Sequence, residues 1–391
     1  MKYAIFLPLL ATTVLAAPVL EQRQDACPAI PSTFPSTANA KLPNPFKFFD
    51  GTAVTTKAQY ACKNQEVSAA LQAQELGDFP KKPSSVTATL SGTSLSITST
   101  EGGKSVSFSV TIKKPSGNGP FPAIIAYGAP SIPVPSNVAT ITFNNDDIGQ
   151  QQSGTSRGKG KFFDLYGSDH SAGALTAWAW GVDRIMDAIE ATPSADIDPA
   201  RVGVTGCSRN GKGAFVAAAL VNRIALGLPQ ESGSGGAACW RISDSEKAKG
   251  KNIQTSSEIV DENVWFSTRF NSFSKKSNTL ATDHHQLAGM VAPRGLLVIE
   301  NEIDWLGPVS TTACMKASRL IYKALGVPDN MGFTGSGNHN HCSFPSNQQP
   351  DLTAFINRFL LKQSTSTAGI EQGPSGADAA TYIDWTPPTL T

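Results

Sequence analysis

Charge is scarce in this chain. Only 16% of its 391 residues are Asp, Glu, Lys or Arg, and the formal net charge is +1. So weak a field offers nothing for nucleic acid or an anionic membrane surface to grip, and neither is expected as a partner. Beyond the N-terminus no apolar run is long enough for a membrane helix. There is no Cys-x-x-Cys pair, and Cys and His lie close together only between His339 and Cys342, so no metal site is expected. No Asn-x-Ser/Thr sequon occurs, which removes N-glycans from the picture. No segment repeats, and no Cys-rich binding module follows Cys342.

What is present begins with an export signal. Met1-Lys2 precedes an apolar run from Ala4 to Leu15, and small residues follow at Ala16 and Ala17. Residues 1–17 therefore read as a secretory signal peptide, too short to span a bilayer. Gln22-Arg23 offers a processing site, so residues 18–25 read as a trimmed leader. Secretion gives the six cysteines a meaning: an even count implies three disulfides, although 15 pairings are open. About 370 residues remain, enough for one large α/β domain or two small ones.

Residues 26–60 are rich in Pro, with Phe34, Phe46, Phe48 and Phe49 among them, and read as an arm packed on a core. Residues 58–75 predict a helix. Residues 86–90, 94–98 and 106–112 alternate apolar and polar between Gly-rich turns, the pattern of antiparallel strands with one wet face. Residues 122–128 and 138–143 are continuous apolar runs, suited to strands buried on both faces. Ala174, Trp178, Val182, Ile185 and Ile189 give residues 171–191 a helical period. Short buried strands are predicted at 224–228, 295–300 and 331–334, and helices at 311–325 and 350–362, the former stopped by Gly326 and Pro328. Antiparallel strands followed by alternating strands and helices predict a mixed sheet in three α/β/α layers. Residues 26–363 read as a single catalytic domain, and the Ser/Thr/Gly-rich residues 364–391 as an irregular tail.

The chemistry centres on Val202-Gly203-Val204-Thr205-Gly206-Cys207-Ser208-Arg209-Asn210-Gly211-Lys212-Gly213-Ala214. A β-type stretch enters a turn, a small-residue helix leaves it, and one Ser sits between glycines. This is the layout of the nucleophile elbow of the α/β-hydrolase fold, which presents a Ser for attack on an acyl carbon. The second Gly comes one residue later than in G-x-S-x-G, with Asn210 able to take the left-handed backbone there. A Gly-Ser loop that merely links a strand to a helix is the competing reading, and the rest of the chain decides between them.

In α/β-hydrolases the acid and then the His follow the Ser. His170 precedes Ser208, and His284 and His285 read as structural hydrogen-bonders ahead of an apolar segment. His339 and His341 lie in a Gly-rich loop after the last predicted core strand, where the base belongs. One coincidence picks His341: Cys207 directly precedes Ser208, and Cys342 directly follows His341. A bond between them would staple the nucleophile turn to the base loop. The acid stays open from position alone. Glu300, Glu302 and Asp304 follow one predicted strand and Glu231 follows another, and position favours the later group.

Several segments carry a resemblance. Gly206-Cys207-Ser208-Arg209-Asn210-Gly211-Lys212-Gly213-Ala214 resembles the signature of glucuronoyl esterases, carbohydrate esterase family 15. Residues 174–181, Pro229-Gln230-Glu231-Ser232-Gly233, Ala292-Pro293-Arg294-Gly295 and Gly337-Asn338-His339-Asn340-His341-Cys342 look like the fungal members, so the likeness covers nearly the whole mature chain. It implies a triad of Ser208, Glu231 and His341, against the positional preference. It implies Arg209 at the oxyanion site, and Lys212, Gln254, Glu262 and Trp305 as sugar-binding residues. It implies the pairs Cys27–Cys62, Cys207–Cys342 and Cys239–Cys314. The substrate class implied is the ester between 4-O-methyl-glucuronic acid side chains of glucuronoxylan and lignin alcohols, and no cofactor or metal is implied. Nothing in the sequence demands more than a secreted monomer. Two rivals remain: another secreted Ser esterase (acetylxylan esterase, cutinase or lipase) with a different pocket, and a non-catalytic carbohydrate-binding protein on the same fold.

Overall fold

The computed structural model describes Met1 and residues 27–391. The signal peptide and leader readings lie outside the described residues, Met1 apart. In chain order the elements are α1 (Lys57–Leu71), β1 (Ser85–Ser91), β2 (Ser94–Glu101), β3 (Lys104–Lys113), β4 (Phe121–Tyr127) and β5 (Ala139–Phe143). Then come α2 (Asn145–Ile148), α3 (Lys161–Tyr166), α4 (Ala174–Ala191), β6 (Ile197–Cys207), α5 (Arg209–Leu220) and β7 (Leu226–Gln230). The remainder is α6 (Trp240–Ala248), α7 (Ser256–Glu262), α8 (His284–Val291), β8 (Gly295–Asn301), α9 (Pro308–Ala324), β9 (Met331–Ser336) and α10 (Gln349–Phe359).

The nine strands form one sheet in the order β1-β2-β3-β5-β4-β6-β7-β8-β9. The β1–β2, β2–β3 and β3–β5 pairs are antiparallel, and every pair from β5 through β4 to β9 is parallel. Alternation in β3 buries Val106, Phe108, Val110 and Ile112 and leaves the residues between them exposed, so this end of the sheet has one wet face. The parallel strands are buried on both faces, as their unbroken apolar runs require.

The two faces carry separate cores. Ala123, Ile125, Leu296 and Val298 pack with α1, α4, α5, α8 and α9. Ile124, Leu226, Leu228, Leu297 and Ile299 pack with Leu352, Phe355, Ile356 and Leu360 around α10. The fold is thus the predicted α/β/α arrangement, with one helical layer much thicker than the other. Trp178 and Trp180 of α4 are wholly buried and make that helix the centre of the thick layer.

Three helices, α6, α7 and α8, occupy a stretch from which the sequence predicted none. The residues beyond Gln363 carry one short 3-10 turn, Ala379–Thr381, and are otherwise without regular structure, but they are not loose. The Phe333 and Gly335 N–H groups donate to the Ile370 and Gln372 carbonyls, so the tail lies along the β9 edge. Trp385 donates to the Leu42 carbonyl at 2.9 Å and meets Phe46 edge-on, tying the tail to the N-terminal arm.

Candidate active site

The nucleophile turn is built by sterics. A Cβ on Gly206 would stand 2.5 Å from the Asn210 carbonyl oxygen, and one on Gly211 would stand 2.3 Å from the Gln230 carbonyl oxygen. Only glycine fits at both places, so the later second Gly marks where α5 touches β7. Between them Ser208 has φ +60°, in a region that side-chain-bearing residues avoid. Its N–H donates to the Gln230 carbonyl at 3.0 Å, and it opens the N-terminus of α5. The first N–H groups of a helix have no acceptor within it, and the helix dipole places partial positive charge beside the Ser208 hydroxyl.

Glu231 is the first residue past β7. It is buried, with φ +45°. Its Oε2 accepts from His341 Nδ1 at 2.7 Å and from the Cys342 N–H at 2.8 Å. Burial raises its pKa, but the His341 and Cys342 hydrogen bonds outweigh that and hold the carboxyl below the ordinary range. His341 Nε2 is shielded from solvent and left without a hydrogen-bond partner. Catalytic hydrogen bonds are often long until substrate binds. The Cys207–Cys342 disulfide joins the residues next to Ser208 and His341, with Cα atoms 5.7 Å apart. Of the six described non-glycine residues with positive φ, four (Ser208, Glu231, Asn338 and Cys342) belong to this turn-and-loop cluster. Such strain, about 1–3 kcal/mol each, persists only where surrounding contacts over-determine it.

The positional choice of acid is not what the geometry brings together. Glu302 and Asp304 are exposed. Glu300 is buried, but its Oε1 accepts from the Ser232 N–H and hydroxyl, both at 2.9 Å, and from the Gly233 N–H at 3.2 Å, not from a His. Burial pushes its pKa up to about 7, the Ser232 and Gly233 bonds opposing and the Glu231 charge adding. The reason for the mismatch is local: β7 runs two residues further than the predicted strand and delivers Glu231 to the His341 loop directly.

The other histidines have structural partners. His339 Nε2 meets the Ser336 carbonyl at 3.0 Å. His284 is buried between the Gly236 carbonyl and Glu75, and His285 Nε2 meets the Pro43 carbonyl at 2.8 Å. The Ala172 N–H donates to His170 Nδ1.

Of the remaining predicted residues, Trp305 packs on His341, and Gln254 and Glu262 are chained to it. Trp305 meets the His341 ring edge-on, centroids 4.8 Å apart. The Gln254 N–H donates to the Trp305 carbonyl, and its side chain donates to Glu262 at 2.9 Å. Lys212 is buried one turn into α5, and its Nζ donates to the Ser232 carbonyl at 2.7 Å. Burial presses its pKa down to about 8, against the pull of Glu300 and Glu262 and with the push of Arg209. Arg209 is exposed at the start of α5, and its guanidinium makes no ion pair or hydrogen bond among the described residues. Sequence reasoning missed Asn301, whose Nδ2 reaches the His339 carbonyl at 3.2 Å and Glu231 Oε2 at 3.4 Å. Its only signal was its place at the C-terminal end of a predicted parallel strand, where α/β sites form.

Cys207, Glu231, His341 and Cys342 bring metal-ligand-type atoms within 4.8 Å of one another. Both sulfurs are consumed in the disulfide, however, and supply no thiolate. What the constellation offers is a hydroxyl at a helix N-terminus whose turn is tied by a disulfide to the loop of an imidazole oriented by a buried carboxylate, a set of groups suited to acyl transfer.

Residues 97–326 match the family model for fungal glucuronyl esterase. The chain belongs to this fungal glucuronyl esterase family. It is a carboxylic ester hydrolase with the α/β fold of its relatives. A 4-O-methyl-glucuronoyl methylesterase of Neurospora crassa is 56% identical over 97% of this chain and 97% of its own. The glucuronoyl esterase catalytic domain from Hypocrea jecorina superposes with a TM-score of 0.91 at 56% identity, over 92% of this chain and all of that one. A glucuronoyl esterase from Sporotrichum thermophile, solved as a serine-to-alanine mutant in complex with methyl 4-O-methyl-beta-D-glucopyranuronate, superposes with a TM-score of 0.92 at 56% identity, over 94% of this chain and all of that one. The three disulfides of this family member are Cys27–Cys62, Cys207–Cys342 and Cys239–Cys314, the pairs that the resemblance implied.

Proposed function

We propose that this glucuronoyl esterase cleaves the ester between the 4-O-methyl-D-glucuronic acid side chains of glucuronoxylan and lignin alcohols through an acyl-enzyme. The observation that carries the reading is the buried Glu231 on His341 Nδ1, with His341 Nε2 free and the loop stapled to the Ser208 turn. Ser208 Oγ attacks the uronate carbonyl carbon while His341 Nε2 takes its proton. The developing oxyanion is met by the Arg209 backbone N–H and by the fixed charge of its guanidinium. His341 returns the proton to the departing alcohol oxygen, and a water then repeats the sequence on the acyl-serine to release the free acid. Glu231 keeps His341 in the tautomer with Nδ1 protonated and stabilises its cationic form. Lys212, Gln254, Glu262 and Trp305 bind the sugar, the first three by hydrogen bonds and charge and the last by its ring face.

The enzyme works as a secreted monomer, with residues 26–363 as its catalytic domain and 364–391 as a tail. In support of secretion, three disulfides suit an oxidising compartment. The test is hydrolysis of a benzyl or methyl ester of 4-O-methyl-glucuronic acid by the wild type and by Ser208→Ala, beside an acetyl and long-acyl ester panel. Acid release that vanishes in the variant is expected. Turnover confined to the acetyl or acyl panel would overturn the substrate reading.

A further inference from the structure

Glu300 has no part in the reaction just described, yet it is among the best-placed acceptors in the molecule. It stands near the end of β8 with its carboxylate buried, and one oxygen accepts three hydrogen bonds. All three come from Ser232 and Gly233, the two residues that follow Glu231. On the other side of the same peptide, the buried Lys212 ammonium donates to the Ser232 carbonyl at 2.7 Å. Ser232 is thus gripped from both sides, its N–H and hydroxyl by β8 and its carbonyl by α5. Glu231 itself donates its N–H to the Ile299 carbonyl at 2.6 Å, one residue before Glu300. Gly233 has φ +49°, so the Glu231-to-Gly233 turn is left-handed at both ends.

A turn in that conformation relaxes unless something holds it. If it relaxed, Glu231 Oε2 would leave the 2.7 Å contact that orients His341. We infer that Glu300 is a positioning residue: with Lys212 opposite, it clamps the Ser232 peptide and so fixes the strained Glu231 against His341. This rests on the reading of Glu231 as the triad acid. Reach is what the clamp needs from Glu300, since an acceptor oxygen must stand at one point to meet three donors at once.

Glu300→Gln keeps the acceptor in place and removes the ionisable group, whereas Glu300→Asp keeps the carboxylate and withdraws it by one methylene. A small misplacement of a catalytic group costs about ten- to a hundredfold in rate. On a methyl ester of 4-O-methyl-glucuronic acid, Glu300→Asp should lose about tenfold or more in kcat with KM within about threefold, while Glu300→Gln stays within about threefold in both. Both variants are compared by thermal unfolding, so that only folded protein is assayed. The same pair is then placed in a Glu231→Gln background, with fluorophosphonate labelling of Ser208 as the rate where turnover is too slow. With Glu231 already disabled, Glu300→Asp should add less than about twofold. Wild-type kcat in Glu300→Asp, a larger loss in Glu300→Gln than in Glu300→Asp, or an undiminished loss in the Glu231→Gln background would each overturn the clamp. Near-wild-type turnover by Glu231→Gln alone would overturn the triad reading instead, which keeps the two failures distinct.

Discussion

The Cys207–Cys342 bridge should act on both stability and rate, and the two effects can be separated. The bridge spans 135 residues, but the Cys239–Cys314 bridge inside it spans 75. The effective loop is therefore about 60 residues, and closing a loop of that length stabilises the fold by about 4 kcal/mol in the chain-entropy model. Melting entropy of about 2.1 cal/mol/K per residue over roughly 365 residues converts this into a fall in Tm of about 5 °C. Cys27–Cys62 spans 35 residues and lies outside the site, and the same model assigns it about 4 kcal/mol as well. Cys27→Ala/Cys62→Ala and Cys207→Ala/Cys342→Ala should thus melt at similar temperatures. At 25 °C both should be folded, yet only the second should lose kcat, by about tenfold or more, because it alone frees the His341 loop from the Ser208 turn. Calorimetry and steady-state kinetics on a methyl glucuronate ester read both. Equal kcat in the two variants would refute the positioning role, and a Tm change under about 2 °C would refute the entropic one.

Glu231→Gln should cost about 10⁴-fold in kcat by offering His341 the wrong partner, while Asp304→Asn, exposed and away from His341 Nδ1, should stay near wild type in the same assay. Lys212 has its pKa pressed from 10.5 to about 8 by burial, so the unfolded chain holds that proton more tightly. Stability should rise as pH climbs from about 8 towards 10.5, and urea midpoints should show that rise missing in Lys212→Met. At His284 burial lowers the pKa, but Glu75, with Asp283 and the Gly236 carbonyl, outweighs it and the net shift is upward from 6.5. That contribution is present in full below pH 6.5 and is lost as pH rises through the raised value, so Glu75→Gln should destabilise most at low pH, by about 3–5 kcal/mol as a broken buried pair. Equal urea-unfolding penalties at about pH 5.5 and pH 9 would refute that account.

Elements whose pattern is local can be read from the residues alone. The period of α4, the alternation of β1 to β3 and the apolar runs of the parallel strands were legible because each follows from one face or two being buried. The Gly206-to-Gly211 turn was legible because close backbone approach excludes every side chain but glycine's hydrogen. The choice of His341 came from its position beside Cys342. Tertiary structure decided the rest. α6, α7 and α8 show little pattern of their own and are held by distant partners: Asp283 accepts from the Trp240 and Arg241 N–H groups, and Glu75 holds His284. The tail reads as loose by composition, yet Trp385 and the β9 edge give it a place that composition cannot encode. Above all, Glu231 and Glu300 look alike in sequence, each a carboxylate at the end of a parallel strand. Which one meets His341 depends on where β7 stops and on how a three-residue turn bends, and that is fixed by hydrogen bonds from β8 and α5, roughly 70 and 20 residues away in the chain.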